Sequence, residues 1–184
     1  MPALASIRRM QKFIHIFSFI LFALIAIPAG AAPADDAVTR GREALKTMDM
    51  AGAMSAFDAA LKIDPAHADA AYERGLLFMR MGKPNEAIAD FTTAVVSNPA
   101  HGRAFAHRGE VKITVNNWDS AFEDFDMAVE VAPKDYQVLV IRASYLLAKD
   151  KAKARADMDA AIAVADPHAA EVLTRMRKEM GLEQ

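Results

Sequence analysis

The chain has 184 residues, 53% of them hydrophobic, with no cysteine and a formal charge of −2. That composition excludes a disulfide framework and thiol chemistry. The basic residues Arg8, Arg9 and Lys12 lie in the first thirty positions, so the remainder carries 19 Lys and Arg against 24 Asp and Glu, formally −5. Such a surface argues against nucleic acid as a partner.

The three basic residues lead into an apolar stretch from Phe13 to Ile27, relieved by His15 and Ser18, and then into Pro28, Ala29, Gly30, Ala31 and Ala32. That order predicts a secretory signal peptide over residues 1–31, with cleavage after Ala31 because Pro33 follows the next option. Retention as an anchor is the alternative, although the stretch is shorter than the ~20 residues that comfortably span a bilayer. With export, the folded part, 32–184, resides in the periplasm or outside the cell.

Beyond the junction the sequence repeats every 34 residues. Gly41, Gly75 and Gly109 share that spacing, as do Ala53, Ala87 and Ala121; Phe57, Phe91 and Phe125; Ala60, Ala94 and Ala128; and Pro65, Pro99 and Pro133. A period of this length marks an array of helical hairpins. In the second unit Ala68 to Met81 predicts one helix, Gly82 its end, Pro84 the first turn of the next and Asn98-Pro99 its stop. The third unit follows the same plan, with Asn116-Asn117 as the break. The small residues Gly75 and Ala87 predict a close crossing within the hairpin, with Phe78 and Phe91 filling the space around it. The first unit has Ala37 and Ala44 where larger residues are usual. The fourth keeps Ala143 and Pro167 in register, but its second helix aligns only if one residue is dropped near Lys149-Asp150 and one added before Pro167, making Ala154, Met158 and Ala161 the equivalents. After Pro167, Ala169, Val172, Leu173, Met176 and Met180 share one helical face and predict a capping helix over 168–181.

At these residues the chain resembles the tetratricopeptide repeat family, over roughly residues 34–167. The resemblance implies an all-α fold: a right-handed superhelix of about four helix hairpins, roughly 34–67, 68–101, 102–135 and 136–167, plus the capping helix. It implies protein binding and no activity. Tyr72, Leu76 and Met79 stand at i, i+4 and i+7 on the first helix of the second unit, and the family's groove positions add Arg42, Ala106, Glu110, Ile113, Val140 and Leu147. Together they predict an apolar concave track with a few charges, able to accept an amphipathic helix or an extended segment of a partner. Some family members clamp a partner's terminal carboxylates with Lys, Asn and Arg. The matching places here hold Val38, Arg42, Glu73, Arg103 and His107, and Glu73 opposes such a clamp.

Arg40, Arg74, Arg108 and Arg142 precede the small residue of each first helix, and Asp90, Asp124 and Asp157 recur in the second helices. They read as exposed pairs across each hairpin, worth only ~0–1 kcal/mol; Ala56 replaces the Asp in the first unit. His67, His101 and His168 follow Pro65, Pro99 and Pro167 and read as solvated loop residues, because loops a hairpin apart cannot share one metal centre. Trp118 reads as packing its turn. No Gly-rich phosphate loop, nucleophile elbow or His-Glu-x-x-His occurs, so neither enzymatic activity nor a cofactor is expected. The sequence therefore predicts a non-enzymatic binding module of the cell envelope that holds another protein or peptide. The alternatives are a self-assembling subunit, as a homo-oligomer, or an assembly factor tethered to the membrane through an uncleaved N-terminal segment.

Overall fold

The computed structural model describes residues 31–183. The predicted signal segment lies outside the described residues except for Ala31, which opens the first helix. Nine α-helices and no strand occur among the described residues: α1 Ala31–Lys46, α2 Met50–Ile63, α3 Ala68–Arg80, α4 Pro84–Ser97, α5 Gly102–Thr114, α6 Trp118–Val131, α7 Tyr136–Leu146, α8 Lys151–Val164 and α9 Pro167–Glu179. They pair as α1/α2, α3/α4, α5/α6 and α7/α8, each pair stacks on the next, and α9 packs against α8. The first helices α3, α5 and α7 also touch one another across the stack, so they lie on the inner side of its curve.

Local chemistry sets these boundaries. The first three hairpins turn through a residue with positive φ, Met48 (60°), Gly82 (66°) and Asn116 (61°), spaced one period apart. Each turn is closed by a backbone bond that reaches back five residues: Asp49 N to Ala44 O, Lys83 N to Phe78 O and Asn117 N to Lys112 O, all 2.9 Å. This left-handed closure caps the end of each first helix. The fourth hairpin is one residue shorter and ends α7 differently, with Asp150 N donating to Leu146 O. The single dropped residue anticipated near Lys149-Asp150 is this missing left-handed position.

The recurring glycines admit an aromatic ring. A Cβ on Gly75 would stand 2.8 Å from Phe91 Cε1, and one on Gly109 would stand 2.6 Å from Phe125 Cε1. Phe57, Phe91 and Phe125 are fully buried as a result. In the fourth hairpin both partners change together: Ala143 replaces the glycine and the flexible Met158 replaces the ring, and both are fully buried. Phe78 packs beside Phe91 and Ala87 as expected, but it is only half-buried, with Arg74 and Lys83 over its ring, while its neighbour Leu77 is buried.

The Arg/Asp pairs form, but they are not exposed. Asp90, Asp124 and Asp157 are buried, each gripped by two guanidinium nitrogens: Arg74 at 2.7 and 2.7 Å, Arg108 at 2.9 and 2.7 Å, and Arg142 at 2.8 and 2.7 Å. The third nitrogen of each arginine reaches back to the preceding hairpin, to Asp58, Thr92 and Asp126 respectively, themselves one period apart. One side chain thus closes its own hairpin and fastens it to the one before. Arg40, opposite Ala56, is exposed. The carboxylates also hold Arg74 well above the ordinary guanidinium range, chiefly through the hydrogen bonds it donates to Asp90.

The end of the stack is closed by Leu173, buried on α9, with Met176 and Met180 half-buried beside it; Val172 is exposed. Leu182, beyond the helix, is also buried, and the chain turns back to deliver it through Gly181 at φ 67°.

Candidate functional site

The concave face is built from α1, α3, α5 and α7. Tyr72, Leu76 and Met79 rise from α3 and are half-buried, as are Glu110 and Ile113 on α5. Leu76, Met79 and Tyr72 rest on the buried Phe91 and Val111, so their inner atoms are fixed by the core while their outer atoms remain accessible. Val140 and Leu147 are half-buried against the last hydrophobic cluster. Ala106 departs from expectation. It has no exposed surface and packs in the core cluster that holds Ala71, Phe105 and Val138, so it offers nothing for a partner to touch.

The groove's charges are committed to one another. Arg42 Nε donates to Glu73 at 2.7 Å and its Nη2 to Asp69 at 3.0 Å, tying α1 to α3. Burial works against that cation, but the two carboxylates hold the Arg42 pKa above its ordinary value. Arg103 on α5 donates to Asp135 at 2.6 Å, just ahead of α7. Two cations at the family's carboxylate-clamp places are therefore engaged by the chain's own acids. Val38, at a third, is buried.

Sequence reasoning missed the aromatic centre of the groove. The Tyr72 ring lies 4.5 Å from His101 and 5.9 Å from His107, and His107 Nδ1 meets Glu110 at 2.6 Å. Burial, aided by the Glu73 charge, pushes the Tyr72 phenol up to about 12. Tyr145 on α7 stacks on Phe125, with ring centres 5.1 Å apart. It also lines a cleft of about 450 Å³ with Met79, Glu110, Val111 and Thr114, between the ends of α3, α5 and α7. Burial and the Glu110 carboxylate raise its phenol as well. Position 145 is in register with the buried Leu77 and Val111, so periodicity alone assigns it to the core. The polar tip of a tyrosine in a series of aliphatics was the available signal.

His67 and His101 are not solvated loop residues. Their side chains are only 12% and 14% exposed, and each caps the helix that follows: His67 Nδ1 accepts from Ala70 N and His101 Nδ1 from Ala104 N, both at 3.2 Å. The opposite nitrogen of His67 meets Asp35 at 2.9 Å, and that of His101 approaches Asp69 to 4.0 Å. Burial lowers the His101 pKa, against the pull of Asp69. His168 is exposed. Among the described residues no three His, Cys, Asp or Glu side chains converge in a metal-binding group.

Comparison with solved structures bears on the fold. The second TPR of Spaghetti (RPAP3), bound to the HSP90 peptide SRMEEVD, is 23% identical over 54% of this chain and 92% of that one, with a TM-score of 0.51. The MamA protein is 18% identical over 80% and 86%, with a TM-score of 0.59. A mutant O-GlcNAc transferase of Thermobaculum terrenum is 21% identical over 76% of this chain, with a TM-score of 0.66, and the match spans only 28% of that enzyme. No curated protein matches the chain. The model of the tetratricopeptide repeat matches residues 38–80 and 72–136, more than half the sequence. With paired helices, a 34-residue period and a groove lined by the first helix of each pair, the chain belongs to the tetratricopeptide repeat family.

Proposed function

We propose that this chain is a non-enzymatic interaction module of the cell envelope and that it holds a segment of another protein in the groove of α1, α3, α5 and α7. The observation that carries the reading is the row of Tyr72, Leu76 and Met79, accessible at its outer edge and seated on a rigid core, with the half-buried Ile113 on the next helix. Side chains already ordered in the free protein lose little entropy on binding, so a modest apolar track supports useful affinity. Support also comes from similar folds solved with HSP90 and Hsp70 peptides bound. Placement in the periplasm or outside the cell rests on residues 1–31 acting as an export signal.

A photoreactive residue at position 76, activated in the native envelope, tests the reading by identifying what it captures. Recovery of a distinct protein, weakened when Tyr72→Ala and Leu76→Ala are combined at unchanged helicity, is the expected result. Capture of this chain alone would point to a self-assembling subunit, and loss of helicity in the double variant would assign both residues to the core. The mass of the mature N-terminus decides between the exported form and a membrane-tethered assembly factor.

A further inference from the structure

In a stack of hairpins whose first helices run the same way, the turns within hairpins line one edge and the connections between hairpins line the other. Ten large apolar side chains are exposed among the described residues, and five of them lie on the turn edge: Met48 (81%), Met81 (56%), Trp118 (48%), Met50 (42%) and Val115 (40%). Trp118, expected to pack its turn, leaves about half of its surface exposed. These residues also recur in register. Met81 and Val115 each precede the left-handed residue of their turns, and Met50 and Trp118 each open the second helix of their hairpins. An open cleft of about 700 Å³ lined by Met50, Met54, Leu77 and Met81 continues this surface inward between α2 and the end of α3.

Charge is uneven between the same two edges. The turn edge carries Arg80, Lys83, Lys149 and Lys151, all exposed. The opposite edge carries Asp35, Asp36, Asp64, Asp69, Asp135 and Asp166, with Lys62, Arg103 and Lys134 among them. Two acids of the turn edge, Asp49 and Asp150, are engaged as helix caps that accept from Gly52 N and Lys153 N; Glu86 and Asp119 are its other acids at the starts of the second helices. A sequence that is acidic beyond its first 31 residues thus sets four exposed cations, interspersed with these four acids, on the edge that carries its exposed methionines and its single tryptophan.

We propose that the turn edge docks on an anionic lipid bilayer, with Met48, Met50, Met81 and Trp118 entering the interface and Arg80, Lys83, Lys149 and Lys151 meeting the head groups. Tryptophan favours the head-group level, where its ring is apolar and its N–H stays hydrated. Apolar side chains flanked by lysine and arginine bind a surface through burial and charge together. This contact is separate from the groove and from any anchoring by the N-terminal segment.

Trp118 is the only tryptophan, so its emission reports from this edge alone. The full chain is mixed with phosphatidylglycerol-containing vesicles, with phosphatidylcholine vesicles, and with both kinds carrying brominated acyl chains. Anionic vesicles should shift Trp118 emission to the blue and allow bromine quenching, and about 0.5 M salt should weaken both effects. Combining Arg80→Gln, Lys83→Gln and Lys151→Gln should weaken the apparent affinity read from quenching by at least tenfold, at unchanged helicity, since each basic residue near the surface contributes roughly fivefold. The segment Phe13 to Ile27 is common to both proteins, so the difference isolates the edge. Unchanged emission on anionic vesicles, or equal quenching of the triple variant, overturns the proposal. A blue shift that grows with protein concentration in the absence of vesicles also overturns it and assigns the edge to a second copy of the chain.

Discussion

Replacing Asp124 with alanine tests whether the arginine ladder holds the stack together. Asp124 is 3% exposed and receives Arg108 through two hydrogen bonds and Lys112 Nζ at 2.7 Å. Its removal strands two cations whose side chains are only 14% and 13% exposed. Stranding a buried partner typically costs 3–5 kcal/mol. The thin access of water to both cations, and the hydroxyl of Ser120 that still receives Lys112, place the loss near the lower end, at about 3 kcal/mol. With a urea dependence of about 2 kcal/mol per M, the unfolding midpoint should fall by about 1.5 M. Asp58→Ala is the matched control, because that carboxylate is 54% exposed and meets Arg74 by one nitrogen; its loss should stay within about 1 kcal/mol. Denaturation followed by circular dichroism on both variants decides the matter. A midpoint for Asp124→Ala within 0.5 M of the parent, or equal losses in the two variants, would refute the claim that burial gives the ladder its strength.

Gly75→Ala should lower stability by ~1–3 kcal/mol, because the added Cβ meets the Phe91 ring at 2.8 Å, and a melting temperature equal to the parent's would count against the close crossing. Acid should weaken the fold through His101, which Asp69, Glu73, Arg103 and Tyr72 surround. Its folded pKa is lowered, so below about 6.5 the unfolded chain binds more protons and stability falls with pH, until the folded imidazole also protonates and loses its acceptor for Ala104 N. The urea midpoint should therefore drop less between pH 7.5 and pH 5 in His101→Asn, which keeps a capping side chain; equal drops in variant and parent would exclude His101 as the cause.

The fold was legible because each repeated column answers one steric or backbone demand. Gly75 must face a ring, Gly82 must take a left-handed φ, and Pro99 must end a helix; those demands are local and recur every 34 residues. Ala154, Met158 and Ala161 were legible even out of register, because a shortened turn shifts a whole helix without changing what it must pack against. The site was legible only in outline. Spacing places Tyr72, Leu76 and Met79 on one face, but depth depends on the neighbouring hairpin, which is why Ala106 proved buried. The histidines misled for a related reason. A residue after a proline reads as a loop, and only the three-dimensional approach of Asp35 to His67 shows that the junction is closed over.

The disposition of charge separates the two surfaces by how each can bind. In the groove Arg42, Arg103 and Glu110 are each held by a partner within 3 Å, so a visiting segment that sought them would first have to displace Glu73, Asp135 or His107. Its affinity must then come from the apolar row, which salt does not screen. On the turn edge Arg80 and Lys151 are exposed, so their attraction to anionic head groups is open to screening and fades as ionic strength rises. Raising salt should leave capture at position 76 nearly unchanged while releasing Trp118 from anionic vesicles. If both contacts fade together, the ion pairs of the groove open on binding, and the premise that they are preorganised fails.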